Sequence, residues 1–183
     1  MRSYDVIGNI AILKKEYSGS SKLEKKGNKK RARQILKKNK NIRTVLEKAE
    51  KVKGRLRTFK THFLAGEKTK EALYKENRCI FRLNVDSCYF SPRLSEERKE
   101  IAGKIKKGRV LVMFAGVGPF SCVIAKKNPK ANVVSIELGR ACYKYALMNK
   151  KMNKLSNLEI IQGDVKKVVP KLARKEKYDY IVM

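Results

Sequence analysis

The residues best suited to chemistry surround a glycine turn in the second half of the chain. An apolar run at 109–113 precedes Phe114 and the turn from Gly116 to Gly118, and residues 120–127 have a helical pattern. A strand, a tight glycine turn and a helix form the nucleotide crevice of an open α/β sheet. Glycine lets the backbone pass close to a ligand where a Cβ would collide. The pattern therefore indicates a ligand-binding turn, with an ordinary structural turn as the alternative.

Two acidic residues follow the next two apolar runs. Glu137 ends the run at 132–136, and Asp164 follows the run at 158–162. A carboxylate at the first of these positions can accept hydrogen bonds from both hydroxyls of a ribose. The alternatives are a surface residue for Glu137 and a helix N-cap for Asp164. Together the runs predict successive βα units with a polar residue at the carboxyl end of each strand, where ligands bind in such sheets.

The composition of the turn indicates which class of ligand it holds. It lacks the third glycine of the G-x-G-x-x-G dinucleotide pattern, and Pro119 stands where the next helix would begin. Proline is favoured there because its missing N–H would have no helical partner. A diphosphate needs free N–H donors at that helix end. The turn therefore favours a nucleoside-containing ligand without phosphates, such as S-adenosylmethionine.

Three stretches of the chain resemble one enzyme family. Residues 113–121 (MFAGVGPFS) resemble the first motif of the archaeal and eukaryotic tRNA (guanine-N1) methyltransferases, which modify the guanosine 3′ of the anticodon. Residues 89–98 (YFSPRLSEER) resemble the family signature ahead of that motif, and residues 4–13 resemble its small N-terminal domain. A sister family transfers an aminocarboxypropyl group in wybutosine synthesis on a similar scaffold. The Gly-Pro-Phe ending at 118–120 fits the methyltransferases better.

The resemblance implies a cofactor, a substrate and a set of cofactor-binding residues. The cofactor is S-adenosylmethionine and the substrate is tRNA. The glycines would approach the methionine moiety, the glutamate the ribose and the aspartate the adenine amine. The cofactor-binding residues implied in this way are Phe114, Gly116, Gly118, Glu137 and Asp164.

The resemblance also implies a catalytic residue, Arg93. Methylation of guanine N1 removes its proton, and a cation at O6 stabilises the charge that develops. Arg93 matches the family arginine at that oxygen; a structural arginine paired with Glu96 or Glu97 is the alternative. A carboxylate can take the proton, but Glu97 could instead brace Arg93 or Arg98, so the general base is left unassigned. We expect no metal site.

The chain departs from the family pattern at two places. Val112 stands where the family usually carries an acidic residue, which would weaken cofactor binding. Residues 178–183 predict a fourth strand, and in the family an Asn-Leu-Pro-like motif that lines the target base follows it. We therefore expect the first half of the methyltransferase sheet, with a C-terminal half supplied by another chain as one completion. A catalytically inactive RNA-binding remnant is a further alternative.

The charge of the chain predicts a nucleic-acid partner. The 183 residues carry a formal net charge of +29, from 46 Lys and Arg against 17 Asp and Glu. Residues 14–70 hold 21 of these basic residues against 5 acidic ones. Each phosphate contact releases counterions, so such a charge favours polyanions; a lysine-rich, solvated surface is the alternative. Modest aromatic content in this segment favours phosphate and shape contacts over base stacking.

The remaining composition argues against secreted and membrane proteins. The chain has no apolar run long enough to span a bilayer and no signal-peptide pattern at its start. Its four cysteines show no C-x-x-C spacing, which disfavours metal binding and is typical of small apolar residues in a reducing compartment. We therefore expect a cytoplasmic protein.

The order of predicted elements gives an α/β fold. We predict strands at 4–13 with a bend at Gly8, at 55–60 and at 79–85, helices at 29–38 and 94–105, a helical pattern through 42–48, and a basic loop at 14–28. The predicted architecture is the first half of a Rossmann-like class I methyltransferase sheet, with about four strands, preceded by a small basic α+β RNA-binding domain. We expect three segments: a tRNA-docking domain at 1–70, a connecting segment at 71–108 and a cofactor-binding domain at 109–183.

Overall fold

The computed structural model describes residues 4–14, 22–49, 54 and 58–183, which form two compact units. The N-terminal unit comprises Met1–Tyr74 and Asn84–Tyr89, and the C-terminal unit comprises Lys75–Leu83 and Phe90–Met183. Strands β5 (Glu71–Glu76) and β6 (Cys79–Asn84) pair as a two-stranded sheet. Both residues of their turn, Asn77 and Arg78, have positive φ, as the type I′ turn of a two-residue hairpin requires.

The N-terminal unit is a mixed four-stranded sheet covered by one helix. Its elements are β1 (Tyr4–Ile7), β2 (Ile10–Leu13), α1 (Lys22–Lys38), β3 (Thr44–Lys48) and β4 (Thr61–Gly66), with the strands in the order β1-β2-β3-β4. The predicted bend in the first strand is confirmed: Gly8 has φ +56°, and β1 and β2 pair as an antiparallel hairpin. Helix α1 connects β2 to β3, which run parallel. The predicted helix at 29–38 is confirmed as part of α1.

Two predictions for this unit are wrong. The helical pattern at 42–48 is strand β3, because its β-branched residues fit a pleated sheet and residues 44–46 are buried in the middle of it. The basic loop at 14–28 is helical from Lys22 onward, while residues 15–21 lie outside the described residues. Gly27 costs a helix only about 1 kcal/mol relative to alanine, so it does not end α1.

A third prediction, the strand at 55–60, falls partly outside the described residues. Residues 55–57 are not described, Thr58 forms an isolated bridge, and residues 59–60 are not strand. The strand in this region is β4, which begins at Thr61. Its position is set by pairing with β3, from Thr44 opposite Gly66 to Lys48 opposite Thr61, rather than by the alternation of basic side chains.

The C-terminal unit contains the predicted parallel sheet. A 3₁₀ turn at Pro92–Leu94 leads into α2 (Ser95–Lys104), and then βα units follow to the end. These elements are β7 (Gly108–Val112), α3 (Pro119–Lys127), β8 (Ala131–Glu137), α4 (Arg140–Met152), β9 (Leu158–Gln162), α5 (Val165–Ala173) and β10 (Tyr180–Val182). The four strands are parallel, in the order β10-β7-β8-β9. The predicted Rossmann-like parallel sheet, and with it the α/β fold class, is confirmed.

Buried side chains explain why these strands form a parallel sheet. The described core includes Val110, Leu111 and Val112 of β7, each at most 2% exposed, and Val133 and Ile136 of β8. Continuous apolar runs are typical of parallel strands that are covered on both faces. The face with Leu111 and Ile136 packs against α5. This packing fixes the strand ends, from which the candidate site is built.

Candidate functional site

The glycine turn after β7 has a backbone that only certain residues adopt easily. Gly116 and Gly118 have φ of +59° and +81°, and Phe114 has φ of +57°. The turn is closed by the amide of Gly118, which donates to the carbonyl of Ala115 at 2.9 Å. Pro119 is the first residue of α3, as predicted. Both glycines are thus required by left-handed backbone, which side-chain-bearing residues adopt only at a cost.

Phe114 departs from this rule. It is an aromatic residue in the left-handed region, and the residue is 62% exposed. Bulky residues seldom adopt positive φ, and such strain concentrates at functional sites. The structure thus places an exposed aromatic ring in the turn that the sequence predicts to bind a nucleoside.

Glu137 lies at the carboxyl end of β8 and is joined directly to the turn. One carboxylate oxygen accepts from the amide of Gly116 at 2.7 Å, and the other accepts from the amide of Gly139 at 2.6 Å. The residue is 6% exposed. A carboxylate has about four acceptor positions, and these two bonds fill one on each oxygen. Two acceptor positions therefore remain, which is what the two hydroxyls of a ribose require.

Asp164 has the structural role that was the alternative prediction. It is the N-cap of α5, and one carboxylate oxygen accepts from the amide of Lys166 at 2.9 Å. Its neighbour Gly163 donates its amide to the backbone carbonyl of Glu137 at 3.0 Å. The sheet therefore brings Asp164 close to the end of β8. A role at an adenine amine stays a prediction.

Arg93 is exposed on the 3₁₀ turn Pro92–Leu94. Glu96 and Glu97, the two carboxylates of its predicted structural alternative, lie in the first turn of α2, and Glu96 pairs with Lys99 at 3.2 Å. Helix α2, which directly follows this turn, packs against α3, which directly follows the glycine turn. The catalytic role of Arg93 stays a prediction.

A buried ion pair in the same unit escaped sequence analysis. Arg98 and Glu76 have side chains only 1% and 3% exposed, and Arg98 donates two hydrogen bonds to the carboxylate, at 2.5 and 2.7 Å. The sequence left Arg98 as a partner for Glu97, its neighbour in the same helix. The real partner is 22 residues away in another element, so no local spacing could have identified it.

Two asparagines at the end of α4 also escaped sequence analysis: Asn149 in its last turn and Asn153, the C-cap that follows it. Asn153 exchanges two hydrogen bonds with the backbone of Ile80, at 2.8 and 2.7 Å, and Asn149 accepts from the amide of Arg82 at 2.8 Å. Residues four apart on a helix thus pair with alternate residues of β6. The amide nitrogen of Asn149 also donates to the carbonyl of Val117 at 2.9 Å, so α4 holds the glycine turn from behind.

Two family models match the chain. Residues 72–183 match the TRM5/TYW2 methyltransferase domain, and residues 1–69 match the TYW2 N-terminal domain. The chain belongs to the TRM5/TYW2 methyltransferase family. The predicted family resemblance is therefore confirmed. The same family assignment accounts for the fold and for the expected cofactor, S-adenosylmethionine.

Individual relatives in the TRM5/TYW2 family agree with this assignment. The chain is 44% identical, over 88% of its length, to the tRNA (guanine(37)-N(1))/4-demethylwyosine(37)-methyltransferase Taw22 of Nanoarchaeum equitans, and covers 52% of that protein. The whole chain superposes on a solved structure of aTrm5 in a complex with tRNALeu and covers 51% of that protein, with a TM-score of 0.84 and 30% identity. In the same way, 90% of the chain superposes on Methanocaldococcus jannaschii TYW2 in complex with AdoMet and covers 58% of that protein, with a TM-score of 0.63 and 26% identity. The chain thus spans about half the length of these relatives.

The N-terminal unit of this TRM5/TYW2 family member carries a basic surface on α1. One face of the helix supplies buried Ala32 and Ile35 to the core. The other face is exposed and forms a shallow depression of about 520 Å³, lined by Lys29, Lys30, Arg33, Gln34 and Lys37. Helical residues four apart lie about 6 Å apart along the axis, so Lys29, Arg33 and Lys37 form a continuous cationic row. We call this row the α1 basic stripe.

The cysteines of the chain are structural. All four are buried, and none of them forms a disulfide. Burial raises the pKa of the Cys79 thiol to about 11 and raises the pKa of the Cys122 thiol still further. Both thiols therefore stay protonated near neutral pH and are not nucleophiles. In the part of the chain that the structure describes, no three His, Cys, Asp or Glu residues are grouped so that they could hold a metal ion, and no helix has the length and apolar character needed to cross a membrane.

Proposed function

We propose that the chain forms the cofactor-binding part of a cytoplasmic tRNA methyltransferase that methylates N1 of the guanosine 3′ of the anticodon. Family membership and the names of its relatives support the reaction class. The observation that carries the proposal is the carboxylate of Glu137, which is bonded to the glycine turn through the Gly116 amide and keeps two acceptor positions. A nucleoside with a free ribose diol fits this arrangement.

The residues of the turn would divide the recognition of S-adenosylmethionine. When bound, this cofactor supplies an electrophilic methyl group on sulfur. Glu137 accepts hydrogen bonds from the ribose hydroxyls, because its remaining acceptor positions match two donors. Phe114 offers an exposed ring, and Gly116 and Gly118 bring the backbone close to the methionine moiety. Asp164 follows the neighbouring strand, and its carboxylate is an acceptor of the kind that an adenine amine requires.

Arg93 would act on the target base. Loss of the N1 proton places negative charge on guanine O6, and a guanidinium stabilises that charge in the transition state. The exposure of Arg93 on a short, proline-anchored turn supports this role, because the side chain is accessible to a base. We assign no general base.

The N-terminal unit would bind tRNA. The α1 basic stripe supports this part of the proposal, since exposed cations spaced along a helix suit a phosphate backbone. A relative of known structure is in a complex with tRNALeu, and the shared fold covers the N-terminal unit. Residues 1–70 are accordingly proposed as the tRNA-docking domain, residues 71–108 as a connection and residues 109–183 as the cofactor domain.

Strand β10 would pair with a further strand. It lies at one side of the sheet and pairs with β7 through Tyr180, Ile181 and Val182. Ile181 is 61% exposed, and exposed apolar edge strands favour pairing with another segment. A C-terminal half, from the same or another chain, is the proposed occupant and would line the target base. Full catalytic activity is proposed to depend on it.

Two other functions rest on specific observations. Residues 1–69 match a TYW2 N-terminal domain, which favours an aminocarboxypropyl transferase, and Val112 in place of an acidic residue favours an inactive RNA-binding remnant. One experiment separates the three. tRNA with guanosine 3′ of the anticodon, and tRNA with 4-demethylwyosine at that position, are each incubated with the chain and S-adenosylmethionine, labelled in parallel samples on the methyl carbon and on the aminocarboxypropyl carbons. We expect only methyl label in tRNA, on guanine N1. Aminocarboxypropyl label in tRNA, or no label from any sample when the C-terminal half of a relative is also supplied, would reject the proposal.

A further inference from the structure

Arg98 makes more contacts than an ion pair requires. It lies on α2 and is 1% exposed. Its Nε and Nη2 atoms both donate to the carboxylate of Glu76, and Nη2 also donates to the backbone carbonyl of Ser91 at 3.0 Å. A guanidinium is planar, so these directions are fixed relative to one another. Arg98 therefore locks the position of Ser91 relative to Glu76.

Aromatic rings enclose this guanidinium. Its central carbon lies 5.3 Å from the ring centroid of Phe90 and 5.7 Å from that of Phe120. Phe90 contacts Phe81 in turn, with ring centroids 5.9 Å apart. The rings thus shield the charge from water. In this less polar surrounding, the hydrogen bonds of the guanidinium are electrostatically stronger and their geometry is less adaptable.

Stability alone does not account for this arrangement. Removing two charges from water is unfavourable, and a buried ion pair is often matched or exceeded in stability by well-packed apolar residues. What an apolar pair cannot do is hold a backbone carbonyl at a defined point. The contact with Ser91 is therefore the feature that needs an explanation.

The carbonyl of Ser91 closes the turn that carries Arg93. It accepts from the amide of Leu94 at 3.3 Å, as well as from Arg98. A carbonyl oxygen has two lone pairs, so both are engaged. One bond forms the turn, and the other fixes it to the core. We call the hydrogen bond from Arg98 to the Ser91 carbonyl the Arg98 clamp. Because Arg93 lies between Ser91 and Leu94, the clamp acts on the residues that flank Arg93.

We propose that Arg98 is a positioning residue, which sets the 3₁₀ turn Pro92–Leu94 and thereby aims Arg93 at the substrate base. The role of Arg93 at the base rests on the proposed function. The fixing of the turn by Arg98 does not, because it follows from the hydrogen bonds of Arg98. Glu76 orients Arg98, and Phe90 and Phe120 keep water from competing for its donors.

The test compares three variants of the whole chain by amide hydrogen exchange at Leu94. Arg98→Lys keeps a charge for Glu76 but lacks the fork needed to reach Ser91 as well. The double variant Glu76→Met/Arg98→Met removes both charges, so no unpaired charge is left buried. Lys99→Met is the control, because Lys99 is next to Arg98 and pairs with Glu96 at the surface. We expect exchange at Leu94 to accelerate by about tenfold in the first two variants, the loss typical of one charge-assisted hydrogen bond, and to be unchanged in the control.

The melting temperature and methyl transfer give the deciding outcomes. The double variant is expected to melt close to the wild type, while its transfer rate to tRNA falls about tenfold and its S-adenosylmethionine affinity stays within about twofold, since misplacement affects rate before binding. Wild-type protection of Leu94 in the double variant would overturn the proposal, and so would its unfolding, because the pair would then serve stability. Methyl transfer is measured with the C-terminal half of a relative supplied. If the wild type transfers no methyl group under that condition, the proposed function fails, while exchange at Leu94 still decides whether Arg98 holds the turn.

Discussion

Two turns of the C-terminal unit are held in place by different means: the glycine turn at 116–118 and the 3₁₀ turn Pro92–Leu94, here called the Arg93 turn. The glycine turn is fixed by neighbours at the strand ends, through the bond between Gly116 and Glu137. The Arg93 turn is fixed from the core, through the bond between Ser91 and Arg98. The first depends on residues that follow one another in successive βα units, and the second on a pair from separate elements. The difference therefore lies not in sequence separation, which is 21 residues for Gly116 and Glu137 and 22 for Arg98 and Glu76, but in the kind of element that supplies the partner. The glycine turn is held by the end of the next strand of the same sheet, and the turn that carries Arg93 is held by a buried ion pair.

The largest expected effect is on transfer rate, at the Arg93 turn. Arg93→Ala removes the proposed cation at guanine O6, and loss of one such donor lowers catalytic rates by about 100-fold or more. Arg93→Lys keeps the charge and should lose less. The rate is measured as methyl label entering tRNA in a single turnover. Lys104→Ala, which removes an exposed cation that pairs with Glu100, is the control. Equal rates for wild type and Arg93→Ala would remove Arg93 from the chemistry.

The next largest effect is on tRNA affinity, and it concerns the α1 basic stripe, which lies outside both turns. Replacing Lys29, Arg33 and Lys37 of the α1 basic stripe by alanine should reduce the slope of log affinity against log salt by about 1 for each phosphate that the variant no longer neutralises. Affinity is measured by filter binding at several salt concentrations, against a control variant with alanine at the exposed Lys130 in the C-terminal unit. A slope as steep as that of the wild type would show that the stripe does not face phosphate.

The smallest effect concerns the backbone of the glycine turn. Gly118→Ala places a Cβ where the nearest side-chain atom, Cys122 Sγ, is 3.6 Å away, so space is sufficient. Its φ of +81° remains strained, which should lower the free energy of unfolding by about 1–2 kcal/mol. Gly103→Ala is the control: it lies in α2 with ordinary φ, faces only the flexible end of Lys127, and should be neutral or stabilising. Urea denaturation measures both, and equal stability of the two variants would show that the turn stores no strain.

The difference between the turns also explains what the sequence could predict. The strands of the parallel sheet, the start of α3 at Pro119 and the place of Glu137 after β8 follow from apolar runs and local residue preferences. The bend at Gly8 does as well, since its positive φ favours glycine, although the sequence predicted one bent strand there and not the hairpin of β1 and β2. Each of these features depends on a few consecutive residues, so each leaves a mark in the local sequence.

The rest of the structure depends on partners that are distant in sequence. Strand β3 was predicted as helix because a short apolar run fits either element, and only the flanking strands decide. Arg98 was expected near Glu97 because the sequence does not show that Glu76 lies in the same core. Asn149 gave no signal at all, although its contact with Val117 supports the glycine turn. The positive φ of Phe114 is equally invisible in its residue type.

Calorimetric titration of S-adenosylmethionine into wild type, Glu137→Ala and Arg93→Ala tests the central claim most directly, namely that the glycine turn binds the cofactor while the Arg93 turn serves the base. Glu159→Ala is the control, since Glu159 is an exposed glutamate on the neighbouring strand β9. We predict that Glu137→Ala weakens binding by about 1.5–3 kcal/mol, the value of hydrogen bonds to a charged group, while Arg93→Ala and Glu159→Ala bind like the wild type. Unchanged affinity in Glu137→Ala, or an equal loss in Arg93→Ala, would contradict the account.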